Sequence, residues 1–145
     1  MASTSLSTGI DEGNAVKDLS IELRKTRTIS EEQKQKLQNI FKKRLTPALA
    51  IVEEKRVARY QFEPSRRSVW IVTGRKGQYQ VIPESMFCTC DDYHFRVMEN
   101  KKQLCYHILA QQIAEPLGKY IESNLPDTNY SRMMSKWGPA SSPEK

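Results

Sequence analysis

Apolar positions follow two different periods along this chain, and the period changes near residue 55. Between residues 30 and 45, Leu37, Ile40, Phe41 and Leu45 fall on one stripe, with Lys34, Lys36, Gln38 and Lys42 away from it. That is the pattern of an amphipathic helix. Ser30-Glu31-Glu32-Gln33 opens it as a capping box, in which Ser30 accepts an orphan amide and Gln33 reaches back. Thr46-Pro47 reads as a new N-cap and first helical position. The first helix should therefore stop near Leu45, and a short second helix carrying Leu49, Ile51 and Val52 should run from Pro47 to about Lys55.

Beyond it, Val57, Arg59 and Gln61 alternate with Ala58, Tyr60 and Phe62, the two-residue period of a half-buried strand. Pro64-Ser65-Arg66-Arg67 is turn material, and 68–73 (SVWIVT) is rich in the β-branched and aromatic residues that favour strands. A turn bounded by Gly74 and Gly77 leads to a returning strand at 78–82. Pro83-Glu84-Ser85 interrupts this strand before Met86-Phe87. Asp91-Asp92 can cap a helix through Phe95, Val97 and Met98, and 100–103 then forms a loop. A final helix is expected to carry Ile108, Leu109, Ile113, Leu117 and Ile121 inward, with Pro116 kinking it.

The fold class this predicts is α+β: N-terminal helices, a small antiparallel β-meander of three strands, and a finger of ββα type ending in a C-terminal helix. Residues 1–28 read as a largely flexible N-terminal segment with a short helix at 16–24, and 29–122 as a single domain. Residues 123–145 read as a flexible C-terminal tail, in which Met133, Met134 and Trp137 offer a short docking motif as the alternative. With 38% hydrophobic and 28% charged residues, the composition fits one soluble domain with a modest core. No apolar run is long enough to span a membrane, and the first fourteen residues lack the basic and then hydrophobic stretch of a secretory signal.

The candidate chemistry is concentrated in one place. Cys88-x-Cys90 is followed after fourteen residues by Cys105-x-His107, so all three cysteines lie in this segment, as does the second histidine, His94. Three thiols and an imidazole suffice for a closed tetrahedral zinc shell. On an extended segment, residues two apart point to the same side, so Cys88 and Cys90 can reach one ion. In a helix, positions two apart diverge by roughly 200°. Cys105 and His107 should therefore straddle a helix start. Competing readings are three packed but unliganded core cysteines, a strained Cys88–Cys90 disulfide, a Cys105/His107 nucleophile–base pair, and His94 in place of His107. The metal ligands expected are Cys88, Cys90, Cys105 and His107, and ligating thiols fit a reducing, intracellular compartment.

The C-x-C…C-x-H pattern is the signature of the SWIM-type zinc finger, and this segment resembles that family at all four ligand positions. The resemblance extends upstream to about Ile29 and on to about Leu117, and takes in the run ALAIVE at 48–53. Its finger covers about 79–115. Similar arrangements occur in the small stand-alone archaeal SWIM proteins and in the SWIM subunit of the eukaryotic Shu complex, which partners recombinase paralogues in homologous recombination. The resemblance implies one structural zinc ion per chain and a non-enzymatic adaptor in recombination and DNA repair. The implied partners are a recombinase paralogue and DNA. It also implies the nucleus as location in a eukaryote, or the cytoplasm and nucleoid in an archaeon. A general nucleic-acid-binding or transcription-associated finger is the alternative.

A formal charge of +6 favours nucleic acid or an acidic partner without demanding either. Arg66 with Arg67, and Arg75 with Lys76, occupy turns that can place them on neighbouring edges of the sheet, with Lys101 and Lys102 extending the track in the finger's loop. Tyr93, Phe95, Tyr106 and Met98 crowd the segment around the ligands, and Tyr93 and Phe95 are the candidate partner-binding anchors. The competing reading packs all four onto the sheet. No phosphate-cradling glycine loop or catalytic set is recognisable in the sequence.

Overall fold

The computed structural model describes residues 12–75, 77–90 and 104–137. Helices α1 (Glu12–Thr26), α2 (Glu31–Phe41) and α3 (Leu45–Glu53) precede strands β1 (Val57–Glu63), β2 (Arg67–Thr73), β3 (Gln78–Ile82) and β4 (Phe87–Cys88). Helix α4 (Tyr106–Leu117), strand β5 (Ile121–Pro126) and helix α5 (Tyr130–Trp137) follow. The fold is α+β.

The capping box forms at the start of α2. Ser30 Oγ accepts from the Gln33 amide at 3.1 Å, and the Ser30 amide donates to Gln33 Oε1 at 2.9 Å. Such a cap is worth about 1 kcal/mol. The helix ends at Phe41, earlier than its apolar stripe suggests, because Lys42 adopts φ 54° and a 3-10 turn, Lys42–Arg44, follows. Leu45 consequently opens α3, and the expected Thr46 cap is not used. Pro47 sits in the first turn, where an amide has no helical partner to lose.

Helix α1 is longer than the short segment expected at 16–24. It buries Val16, Leu19 and Leu23 in the main core and packs on α4. The sequence boundary at residue 28 thus falls after an element of the main core.

The sheet has the order β4-β3-β2-β1-β5. β1 to β4 form the antiparallel meander and its short extension, while β5 lies parallel to β1. Strand β2 is central, and all of Val69, Trp70, Ile71 and Val72 are buried because alternate residues enter two different cores. Trp70 and Val72, with Val57 and Val81, face α1 to α4. Val69, Ile71 and Phe62 face the other way, under Tyr130, Met133 and Met134 of α5. Phe62 meets Tyr130 edge-on, with ring centroids 5.2 Å apart.

One expectation at the C-terminal side is corrected. The final helix does not continue to Ile121, which is 53% exposed at the start of β5. Pro116 removes one amide from the last turn, and Gly118, at φ 73°, closes the helix by donating to Glu115 O at 3.2 Å. The sequence boundary at residue 122 falls inside β5, whose Leu125 joins the second core.

Candidate metal centre

Two local devices present the ligands. Val81 pairs with Cys88, and the ladder continues one residue further: the Thr89 amide donates to Gln80 O and the Gln80 amide to Thr89 Oγ1, both at 3.1 Å. These bonds hold Cys88 to Cys90 against β3. Cys88 continues the cross-strand row Arg59, Trp70, Val81, on the face turned to the helices. The second pair straddles a helix start. Cys105 is the N-cap residue of α4, extended at φ −80° and ψ 166°, and His107 lies in the first turn.

These two devices bring the four side chains together. The three Sγ atoms and a ring nitrogen of His107 all lie within 4.8 Å of one another. The four residues are between 0% and 4% exposed, and all three cysteines are free thiols. Cysteines that merely packed would have no need to converge on one imidazole.

The electrostatics of the cluster keep its thiols protonated unless a cation is present. Hydrogen bonds with Cys105 and Cys90, then burial, hold the Cys88 thiol far above the usual range. Burial pushes Cys105 up to about 12, with its contact to Cys88 acting in the opposite sense. Three crowded thiols cannot ionise against one another in a dry site, whereas a divalent ion inverts that balance and favours thiolates. Both ring nitrogens of His107 are buried without a hydrogen-bond partner among the described residues. Leaving such a group unsatisfied costs about 1–3 kcal/mol. The donor set therefore fits a metal ion, and soft sulfur with one imidazole suits zinc.

The imidazole is also clamped sterically. The rings of Tyr79 and Tyr106 lie 4.6 and 4.3 Å from it, centroid to centroid. A Cβ placed on Gly74 would fall 2.6 Å from His107 Nε2. Sequence reasoning treated Gly74 only as a turn residue; its role here is to leave room. Nothing local could have flagged it, since the contact joins residues from two distant elements.

Of the basic residues singled out by the sequence, Arg66, Arg67 and Arg75 are among the described residues. Arg66 is exposed in the β1–β2 turn, and Arg67 opens β2 with its guanidinium 4.4 Å from the Tyr130 ring. Arg75 is exposed beyond the other end of β2. At about 3.3 Å per residue, a strand of this length puts roughly 20 Å between the two turns. Arg66 and Arg67 thus stand at the opposite end of β2 from Arg75. Lys76, Lys101, Lys102, Tyr93, Phe95 and His94 lie outside the described residues. No helix among the described residues is long and apolar enough to cross a membrane.

No family model matches the chain, and no solved structure matches it. A curated protein of Dictyostelium discoideum does. The chain is 31% identical over 124 residues to its Zinc finger SWIM domain-containing protein 7 homolog, covering 81% of this chain and 80% of that protein.

Proposed function

The chain belongs to the SWIM zinc finger family, and on that premise we propose that it is a zinc-stabilised adaptor of homologous recombination and DNA repair. One zinc ion per chain would be held by Cys88, Cys90, Cys105 and His107, cross-linking the β3–β4 hairpin to the first turn of α4. The observation that carries this reading is the burial of a complete four-donor set. A catalytic zinc keeps a position open to water, and a structural one closes its shell with protein ligands.

The adaptor's partner, in this reading, is a recombinase paralogue, as the family resemblance implies, and the compartment is the nucleus in a eukaryote. DNA is a secondary ligand. Its candidate contacts among the described residues are Arg66 and Arg67 at one end of β2 and Arg75 at the other. The adaptor is preferred over a general nucleic-acid-binding or transcription-associated finger on the family resemblance. Tyr93 and Phe95, beside the first ligand pair in sequence, remain the proposed anchors for the partner.

The test is capture of the tagged full chain from native extract. An ATPase of the recombinase class should copurify. Its capture should fall on Tyr93→Ala with Phe95→Ala while the melting temperature holds. A melting drop of the size expected for core aromatics would return both residues to the core. Tight, salt-sensitive DNA binding without any protein partner would replace the adaptor reading by the nucleic-acid one.

A further inference from the structure

A buried ion pair lies beside the metal centre and belongs to none of its ligands. Arg44 and Glu12 form a two-pronged pair, Nη1 to Oε1 at 2.9 Å and Nη2 to Oε2 at 2.7 Å. Their side chains are 13% and 9% exposed, while every other ion pair among the described residues is far more open to solvent. Forked pairs of this kind combine charge with fixed geometry.

What the pair holds is the backbone of Leu104. The Leu104 amide donates to Glu12 Oε1 at 2.9 Å, and the Leu104 carbonyl accepts from Arg44 Nη1 at 2.6 Å. Arg44 is itself fixed, since its Nε donates to Phe41 O at 3.2 Å and its guanidinium lies 5.2 Å from the Phe41 ring. Leu104 immediately precedes Cys105. The amide and the carbonyl of the residue leading into a ligand are thus both gripped by side chains from elsewhere in the chain.

A buried ion pair is weak support for stability by itself, because desolvation offsets most of its attraction. Its value has to lie in what it orients. Cys105 returns to the cluster after a fourteen-residue connection, and anchoring the end of that connection leaves less entropy to be lost when the ligands are brought together. We infer that Glu12 and Arg44 are positioning residues of the metal centre, fixing the backbone at Leu104 so that Cys105 Sγ stays in register with Cys88 and Cys90. This makes α1 a working part of the centre. The inference rests on the reading of the four donors as a metal site.

The test uses the full chain with Co2+ as the probe, because thiolate-to-cobalt charge transfer reports how many sulfurs bind. Glu12→Gln and Arg44→Lys each break the fork while keeping a polar side chain. Phe62→Leu, in the second core, serves as a control that loosens the fold without touching the clamp. Support would be about tenfold weaker Co2+ retention against a chelator in the two clamp variants, the size typical of outer-shell changes. Their charge-transfer intensity per bound ion should also fall, while Phe62→Leu keeps the wild-type intensity. Wild-type intensity in Glu12→Gln, with retention no weaker than in an equally destabilised Phe62→Leu, would reduce the pair to scaffolding and overturn the inference. A wild-type chain that took up no metal would overturn the metal centre itself, and the clamp with it.

Discussion

Gly74 and His107 share a space that only hydrogen can fill. The imidazole Nε2 lies where a side chain on residue 74 would begin, 2.6 Å from the Cβ position. The β2–β3 turn and the first turn of α4 therefore meet at a ligand, and the small residue in the turn sets how far the ring can move.

Gly74→Ala should accordingly lower the melting temperature and the metal content together. Overpacking of this kind costs about 1–3 kcal/mol. Thermal melts and elemental analysis of the same preparation check it, and a variant that melts and binds metal like the wild type would show that the turn yields freely.

Metal content should be about one zinc per chain, the stoichiometry of a closed four-ligand site. Cys88→Ser or Cys105→Ser should reduce it and loosen the fold, because the energy of closing such a site is folding energy. His107→Ala should do the same and His94→Ala should leave both nearly intact. Loss of zinc in His94→Ala with retention in His107→Ala would identify the other histidine as the ligand.

The pH dependence should have opposite signs with and without metal. In the metal-free fold the thiols hold their protons, since Cys88 lies far above the usual range and Cys105 is pushed up to about 12. An unfolded chain releases those protons near its ordinary value of 9.0, so metal-free stability is full below that pH and declines as pH rises towards about 12. Metal uptake instead displaces the protons, so affinity should rise with pH by up to about tenfold per unit for each proton released. Melting curves of chelator-treated and zinc-loaded protein across pH, with chelator competition for affinity, test both arms.

Charge reversal at the two ends of β2 should separate charge from packing. Arg75→Glu removes an exposed cation and should leave the melting temperature unchanged. Arg67→Glu also removes a guanidinium stacked on Tyr130, a contact worth about 0.5–1 kcal/mol, and should melt lower. If either arginine contacts phosphate, its loss should reduce the salt dependence of DNA binding by about one. Unchanged salt dependence in both would remove them from any DNA interface.

Much of the architecture was legible because local chemistry and tertiary structure agree. Ser30 and Gln33 form their reciprocal cap within four residues, and the β-branched run of β2 becomes the central strand. The spacing of Cys105 and His107 matches a helix start, where the structure puts them. What was not legible depends on distant partners. β5 has few apolar residues, and it is a strand because β1 offers it a free edge. Met133 and Met134 looked like a tail motif until the second face of the sheet appeared beneath them. Gly74 and the Glu12–Arg44 pair act between residues more than thirty positions apart, where no periodicity can announce them.

The parallel pairing of β5 with β1 also sets an order of events during synthesis. Ala58 waits for Ile121, and Phe62 for Leu125 and α5. At about 5–20 residues per second, β1 leaves the ribosome several seconds before its neighbour exists. Throughout that interval its outer edge is bare, and open edges recruit other chains. The nascent protein thus carries an open sheet edge from the emergence of β1 until β5 is made, and a chaperone would find its substrate in that window.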